Sequence, residues 1–129
     1  MNYKPVVLVV EDQPIIRFNA VELLADAGFD ALSAQNADEA IQILESRPDI
    51  HLVFTDVEMP GTMDGIKLTH YIRGRWPKVH LIVVSGRRIV EEHELPPATK
   101  FFTKPYRDHT IIAEIRRMLS ANDGAATSH

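Results

Sequence analysis

Short apolar runs that alternate with longer helical patterns are the feature that most constrains the fold of this chain. The clearest runs are residues 6–10, 52–54 and 81–84, and weaker ones cover residues 31–33 and 101–102. Continuous apolar residues, rather than alternating apolar and polar ones, are typical of strands buried on both faces of a parallel sheet. The runs therefore predict a sheet that is covered by helices on both sides.

The stretches between the runs have the signals of helices. Pro14 suits a first helical position, and Gly28 suits the end of the same helix. Asn36 followed by Glu39 predicts a second helix with a capping box. A third helix is predicted from about residue 64 to 75. The apolar face of the last helix comprises Ile111, Ile115, Met118 and Leu119. Strand and helix alternate about five times, which predicts a five-stranded, doubly wound α/β fold with helices on both faces.

One segment and the chain end depart from this pattern. Pro96-Pro97 interrupts the stretch between Ser85 and Lys104, so we expect the fourth helix to be short or irregular. With 129 residues in total, we expect one domain over residues 1–121 and no attached effector domain. Residues 122–129 are small and polar, which predicts a flexible tail.

Composition narrows the class of protein. A net charge of −4 argues against nucleic acid as the partner, because phosphate neutralisation needs surplus Lys and Arg. The absence of cysteine excludes disulfides and thiolate metal sites. No apolar run is long enough to cross a bilayer, and the N-terminus lacks the apolar core of a signal peptide. We therefore expect a cytoplasmic protein without membrane contact.

Polar residues follow four of the five runs. Glu11 and Asp12 follow the first run, Asp56 the third, Ser85 the fourth and Lys104 the fifth. Sites in open α/β sheets form at the carboxyl edge of the strands, so these side chains are predicted to meet there.

Three carboxylates at one edge need neutralisation. At about 4 Å and an effective dielectric constant near 20, each pair repels by roughly 4 kcal/mol. Lys104 supplies only one positive charge, and a divalent cation is the remaining candidate. Oxygen ligands with open water positions favour Mg²⁺, and the six histidines show no zinc-binding spacing.

The chain resembles the response-regulator receiver family from about residue 6 to 119. The motifs that carry the resemblance are Val-Val-Glu11-Asp12, Thr55-Asp56-Val57-Glu58-Met59-Pro60, Met63-Asp64-Gly65, Val84-Ser85-Gly86 and Thr103-Lys104-Pro105. The resemblance implies that Asp56 is the phosphoacceptor. It also implies a Mg²⁺ site in which Asp12 binds directly, Glu11 binds largely through water, and the backbone carbonyl of Glu58 is a further ligand.

The resemblance assigns roles to five other residues. Ser85 and Lys104 would contact phosphate oxygens, and the Lys104–Pro105 bond would be cis. Phe101 would occupy the aromatic switch position, although core packing is an equally good reading of it. Arg87 would flank the phosphate opposite Glu58. These two opposite charges could pair across the mouth of the site and tune the lifetime of the phosphoryl group.

The chain departs from the family pattern in three places. Gly61-Thr62 makes the loop after Asp56 one residue longer, and residue 86 is Gly where the family favours Ala. The segment between Ser85 and Lys104 is shorter than is typical, which makes a non-standard output surface the expectation.

The resemblance implies a signalling switch with at most intrinsic self-phosphorylation and self-dephosphorylation. Its partners would be a histidine kinase or a histidine phosphotransfer protein and a downstream protein of unknown identity, with the chain as a monomer or weak homodimer. Two alternatives remain open. One is a Mg²⁺-dependent phosphatase with Asp56 as nucleophile and Glu58 as acid, which would turn over phosphate esters. The other is a binding module that is never phosphorylated.

Overall fold

The five apolar runs form one parallel sheet. The structure is a computed structural model that describes the backbone of residues 4–127 and the side chains of residues 4–120. Its strands are β1 (Val6–Val10), β2 (Asp30–Ala34), β3 (Ile50–Asp56), β4 (His80–Ser85) and β5 (Thr99–Thr103). Their order is β2-β1-β3-β4-β5, and every neighbouring pair is parallel. The predicted five-stranded parallel sheet is confirmed.

The helices begin close to the residues that the sequence indicates. They are α1 (Pro14–Asp26), α2 (Ala37–Ser46), α3 (Gly65–Arg75) and α4 (Asp108–Thr127). Asn36 caps α2 by accepting a hydrogen bond from the Glu39 N–H at 2.8 Å. The Glu39 carboxylate accepts in return from the N–H of Gln35, one residue before the cap, at 2.7 Å. Asp64 caps α3 in the same manner. The capping residues therefore fix where α2 and α3 begin.

Two apolar clusters cover the two faces of the sheet. Side chains alternate along a strand, so Leu8 and Val10 of β1 face one cluster while Val7 and Val9 face the other. Helices α2 and α3 pack on the first face, and α1 and α4 pack on the second. This arrangement confirms the doubly wound fold and explains why β1 has no polar residue on either side.

The segment between β4 and β5 contains a single 3₁₀ turn at Glu92–Glu94, in place of a regular fourth helix. Two buried aliphatic side chains of this segment, Val90 and Leu95, pack in a third, smaller cluster with Val57 and Val83. The prediction that a fourth helix would be short or irregular is confirmed: the single turn ends just before Pro96-Pro97, which cannot donate the hydrogen bonds that would continue a helix.

The C-terminal prediction is not tested. Helix α4 extends through residue 127, but the side chains beyond residue 120 are not described. The predicted boundary at residue 121 and the flexible tail over residues 122–129 therefore stay predictions. Within the described residues, no helix has the length and apolar character needed to span a membrane.

Candidate functional site

The predicted site residues meet at the carboxyl edge of the sheet. The strand order reverses between β1 and β3, and ligands in open α/β sheets bind at such a reversal. Glu11 and Asp12 follow β1, Asp56 ends β3, Ser85 ends β4 and Lys104 follows β5. A cavity of about 610 Å³ opens above this edge. Its lining includes Asp12, Asp56, Glu58, Arg87 and Lys104.

Three carboxylates of this edge form a tight cluster. Glu11, Asp12 and Asp56 each offer an oxygen atom, and these atoms lie within 4.8 Å of one another. Glu11 is only 4% exposed and Asp56 only 6%. Burial raises the pKa of both Glu11 and Asp56, since a carboxylate loses its hydration there, and Lys104 opposes the shift. Lys104 therefore offsets the cost of burying these two carboxylates only in part.

Lys104 lies between two of the carboxylates. Its Nζ atom is 3.4 Å from a carboxylate oxygen of Glu11 and 3.4 Å from Oδ2 of Asp56. The Lys104–Pro105 peptide bond is cis. The other carboxylate oxygen of Asp56, Oδ1, is buried and has no hydrogen-bond partner in the part of the chain that the structure describes. A buried carboxylate oxygen without a donor is available to a cation or to an incoming electrophile.

This donor set fits a divalent cation with a preference for oxygen. The three carboxylates offer oxygen ligands, and the cavity above them has room for water. Asp56, one of the three, also has a carboxylate oxygen, Oδ1, without a hydrogen-bond partner among the described residues. Mg²⁺ typically binds one or two carboxylates and keeps several waters. The residues present therefore satisfy what Mg²⁺ requires of a protein site.

Gly65 allows α3 to begin directly against Asp56. A Cβ atom at this position would lie 2.0 Å from the backbone carbonyl oxygen of Asp56, a distance that no side chain can occupy. The Gly65 N–H donates to the carbonyl of Val57 at 2.9 Å. The glycine of the Met-Asp-Gly motif therefore has a steric function that the sequence does not reveal.

Ser85 has a carboxylate partner that was not predicted. Its side chain is buried at 1% exposure, and its hydroxyl donates to Oε2 of Glu58 at 2.5 Å. The same hydroxyl oxygen accepts from the backbone N–H groups of Arg87 and Arg88, both at 3.3 Å. Ser85 thus links the loop after β3 to the segment after β4.

The predicted ion pair between Glu58 and Arg87 is not present among the described residues. The Glu58 carboxylate is turned toward Ser85, which explains why it does not extend across the mouth of the cavity. Both residues line the cavity. Phe101 is partly buried against the third cluster, a position compatible with both of its readings. The lifetime and switch roles of these residues stay predictions.

The sequence also does not predict the contacts within the segment after β4. The guanidinium of Arg88 pairs with the carboxylate of Glu94 at 2.6 Å, and Nε2 of His70 donates to the Glu94 carbonyl at 2.7 Å. The Glu94 carboxylate also accepts from the Glu91 N–H at 2.9 Å. Arg88, Glu91 and His70 are exposed, Glu94 is partly buried, and the four have no periodic pattern, so only the folded chain brings them together.

Comparisons with known proteins agree with this geometry. The family model of the response regulator receiver domain matches residues 7–116. The chain is 30% identical over 118 residues to the nitrogen assimilation regulatory protein NtrX of Azorhizobium caulinodans, which covers 88% of this chain and 26% of that protein. The crystal structure of the receiver domain from the hybrid histidine kinase CckA is 30% identical, covers 88% of this chain and 98% of that one, and has a TM-score of 0.75.

A further solved structure has lower sequence identity and shows only that the fold is similar. The response regulator receiver protein from Sinorhizobium medicae is 24% identical, covers 94% of this chain and 98% of that one, and has a TM-score of 0.86. The chain spans about a quarter of the length of NtrX and the NtrX-like regulators that it matches.

Proposed function

The chain belongs to the response regulator receiver domain family of two-component systems, and from this premise we propose that it is a phosphorylation switch whose phosphoacceptor is Asp56. Phosphorylation-dependent signalling follows from the family. The observation that supports the residue assignment is the position of Asp56. Its carboxylate lies beside Glu11, Asp12 and Lys104, with one oxygen that has no partner among the described residues.

The proposed reaction is the transfer of a phosphoryl group to a carboxylate oxygen. Asp56 attacks the phosphorus of a phosphohistidine or of a small acyl phosphate. The new oxygen–phosphorus bond forms as the bond to the donor breaks, and the donor leaves with the bonding electron pair. The donor already carries a good leaving group, so the protein needs only to position the two groups and balance their charge.

Each neighbouring residue has a proposed role in this transfer. Asp12 and the backbone carbonyl of Glu58 would hold Mg²⁺ with Asp56, and Glu11 would do so through water. When bound, Mg²⁺ supplies positive charge between the carboxylates and the phosphate oxygens. The Lys104 ammonium, 3.4 Å from Asp56, is placed to contact a phosphate oxygen. The Ser85 hydroxyl would contact another.

The partners are proposed on the same basis. A histidine kinase or a histidine phosphotransfer protein would supply the phosphoryl group. Phosphohistidine forms from ATP, so we propose that the exchange takes place in the cytoplasm. The output would pass through contacts with a downstream protein, by way of the segment between β4 and β5 and the adjoining α4.

Incubation with acetyl phosphate tests the proposal. We expect the intact mass to increase by one phosphoryl group in the presence of Mg²⁺, and not after chelation. Asp56→Asn should abolish the increase. Full labelling of the Asp56→Asn variant would overturn the assignment, as would no labelling of the parent by several activated donors. Sustained hydrolysis of a generic phosphate ester would instead support the phosphatase alternative.

A further inference from the structure

We propose that the Glu58 carboxylate competes with the phosphoryl group for the Ser85 hydroxyl, and thereby acts as an autoinhibitory latch on the site. The inference rests on the proposed function, because the competitor is a phosphoryl group on Asp56. We use "Glu58 latch" for the hydrogen bond from Ser85 Oγ to Glu58 Oε2, which measures 2.5 Å.

The competition follows from the chemistry of a hydroxyl group. Serine has one O–H to donate, so its proton can go to the carboxylate or to a phosphoryl oxygen, but not to both. At 1% exposure, Ser85 has little water with which to replace either acceptor. An ionised acceptor makes the hydrogen bond stronger than a neutral one. In the unphosphorylated protein Ser85 therefore donates to Glu58, and this hydrogen bond must break before Ser85 can donate to a phosphoryl oxygen.

The latch also connects to the segment after β4. The Ser85 oxygen accepts from the N–H groups of Arg87 and Arg88, and Arg88 pairs through its side chain with Glu94. A Ser85 side chain that leaves its present rotamer, either toward a phosphoryl group or because Glu58 no longer holds it, withdraws its oxygen from both N–H groups. Release of the latch should therefore be measurable at these two amides, even without phosphate or Mg²⁺.

Glu58 has a second effect that the experiment must separate. Its negative charge repels an incoming phosphoryl group, whatever Ser85 does. Burial raises the pKa of the Asp56 carboxyl, Lys104 opposes this shift, and the nearby charge of Glu58 adds to it. Removal of Glu58 therefore relieves repulsion and opens the latch together. Only the part that depends on Ser85 belongs to the latch.

A double-mutant cycle isolates this part. The affinity for beryllofluoride, a phosphoryl mimic, is measured with Mg²⁺ in the parent, Glu58→Ala, Ser85→Ala and the double variant. We expect Glu58→Ala to tighten binding about tenfold more when Ser85 is present than in the Ser85→Ala background, which corresponds to about 1.4 kcal/mol of coupling. Glu58→Gln, which keeps an acceptor oxygen but loses the charge, should show a smaller coupling. Equal tightening in both backgrounds would overturn the latch.

Amide exchange without Mg²⁺ provides an independent readout. Glu58→Ala should speed exchange at Arg87 and Arg88 by about two- to fivefold, because their shared acceptor is no longer held in place. Unchanged exchange at both amides would contradict the latch. If no variant binds beryllofluoride, the proposed function fails, and the exchange experiment alone then decides whether Glu58 holds Ser85.

Discussion

At the scale of the residue, Gly65 and Asp56 show how backbone and side-chain requirements meet in this site. Asp56 must point into the cavity while its own carbonyl lies against the first residue of α3. The 2.0 Å that separates this carbonyl oxygen from a hypothetical Cβ at residue 65 leaves glycine as the residue that fits. The phosphoacceptor loop and α3 are therefore positioned by the absence of a side chain.

Gly65→Ala should destabilise the fold, and Gly74→Ala provides the matched control. Both glycines lie in α3, but a Cβ at residue 74 would meet nothing within 4 Å apart from its chain neighbours and the backbone of its own helix. We expect Gly65→Ala to lower the free energy of unfolding by about 1–3 kcal/mol or more through steric overlap. Gly74→Ala should raise it by about 0.4–1 kcal/mol, since alanine has less conformational entropy to lose. Urea unfolding measures both, and equal stability of the two variants would contradict the steric account.

The raised pKa values of Asp56 and Glu11 predict a specific pH dependence. A carboxyl whose pKa is higher in the folded state stabilises the fold at low pH, and this contribution is lost as pH rises through the folded pKa. In metal-free protein, the contribution of these two carboxyl groups to the free energy of unfolding should therefore fall from about pH 4 upward.

Asp56→Asn should weaken this dependence. The variant removes one buried charge, and we expect it to be about 1–2 kcal/mol more stable than the parent at pH 7 with chelator present. The free energies of unfolding of the two proteins should converge at low pH, where Asp56 of the parent is neutral in both the folded and the unfolded state. Urea unfolding between pH 4 and 8 provides the measurement. A less stable Asp56→Asn at pH 7 would show that the ion pair with Lys104 outweighs the cost of burial.

At the scale of the element, the sequence predicts the irregular conformation of the segment between β4 and β5, but not the contacts that hold it. The Pro96-Pro97 pair was sufficient to predict the absence of a regular helix. The contacts that hold the segment could not be predicted, because they join polar residues without a periodic pattern, some across a turn and one from another helix. Glu94 is their centre, with Arg88, Glu91 and His70 as its partners.

Glu94→Ala should loosen this segment, with Glu92→Ala as the control. The Glu94 carboxylate accepts from Arg88 and from the Glu91 N–H, whereas no described contact involves the Glu92 side chain. We expect amide exchange at Glu91 and Leu95 to become about three- to tenfold faster in Glu94→Ala, as loss of two modest contacts predicts. It should remain unchanged in Glu92→Ala. The same exchange rates in both variants would mean that Val90 and Leu95 hold the segment without help from Glu94.

At the scale of the whole molecule, the fold was predictable because its signals are redundant. The apolar runs, helix caps and chain order all indicate the same doubly wound sheet, and that sheet dictates which residues share its carboxyl edge. The sequence therefore predicted that Glu11, Asp12, Asp56 and Lys104 would meet. It did not predict the direction of individual polar side chains. Glu58 was expected to face Arg87 and instead faces Ser85, since charge alone does not fix a rotamer.

Mg²⁺ should stabilise the whole molecule through the carboxylate cluster. A ligand that binds only the folded state adds about 2.7 kcal/mol to the free energy of unfolding at a concentration of 100 times Kd. We expect a rise of this order in the parent at saturating Mg²⁺, and little or none in Asp12→Asn. Urea unfolding with and without Mg²⁺ gives the comparison. If Mg²⁺ raises the free energy of unfolding of Asp12→Asn as much as that of the parent, the cation binds at another site.

The central claim is that Asp56 is the residue that carries the phosphoryl group, and chemical mapping of the modified residue tests it most directly. The protein is treated with acetyl phosphate and Mg²⁺, trapped with borohydride, which reduces an aspartyl phosphate to homoserine, and sequenced by tandem mass spectrometry. We predict homoserine at position 56 and unmodified aspartate at position 12. Homoserine at position 12, or an unmodified Asp56 in protein whose intact mass shows the phosphoryl group, would contradict the account.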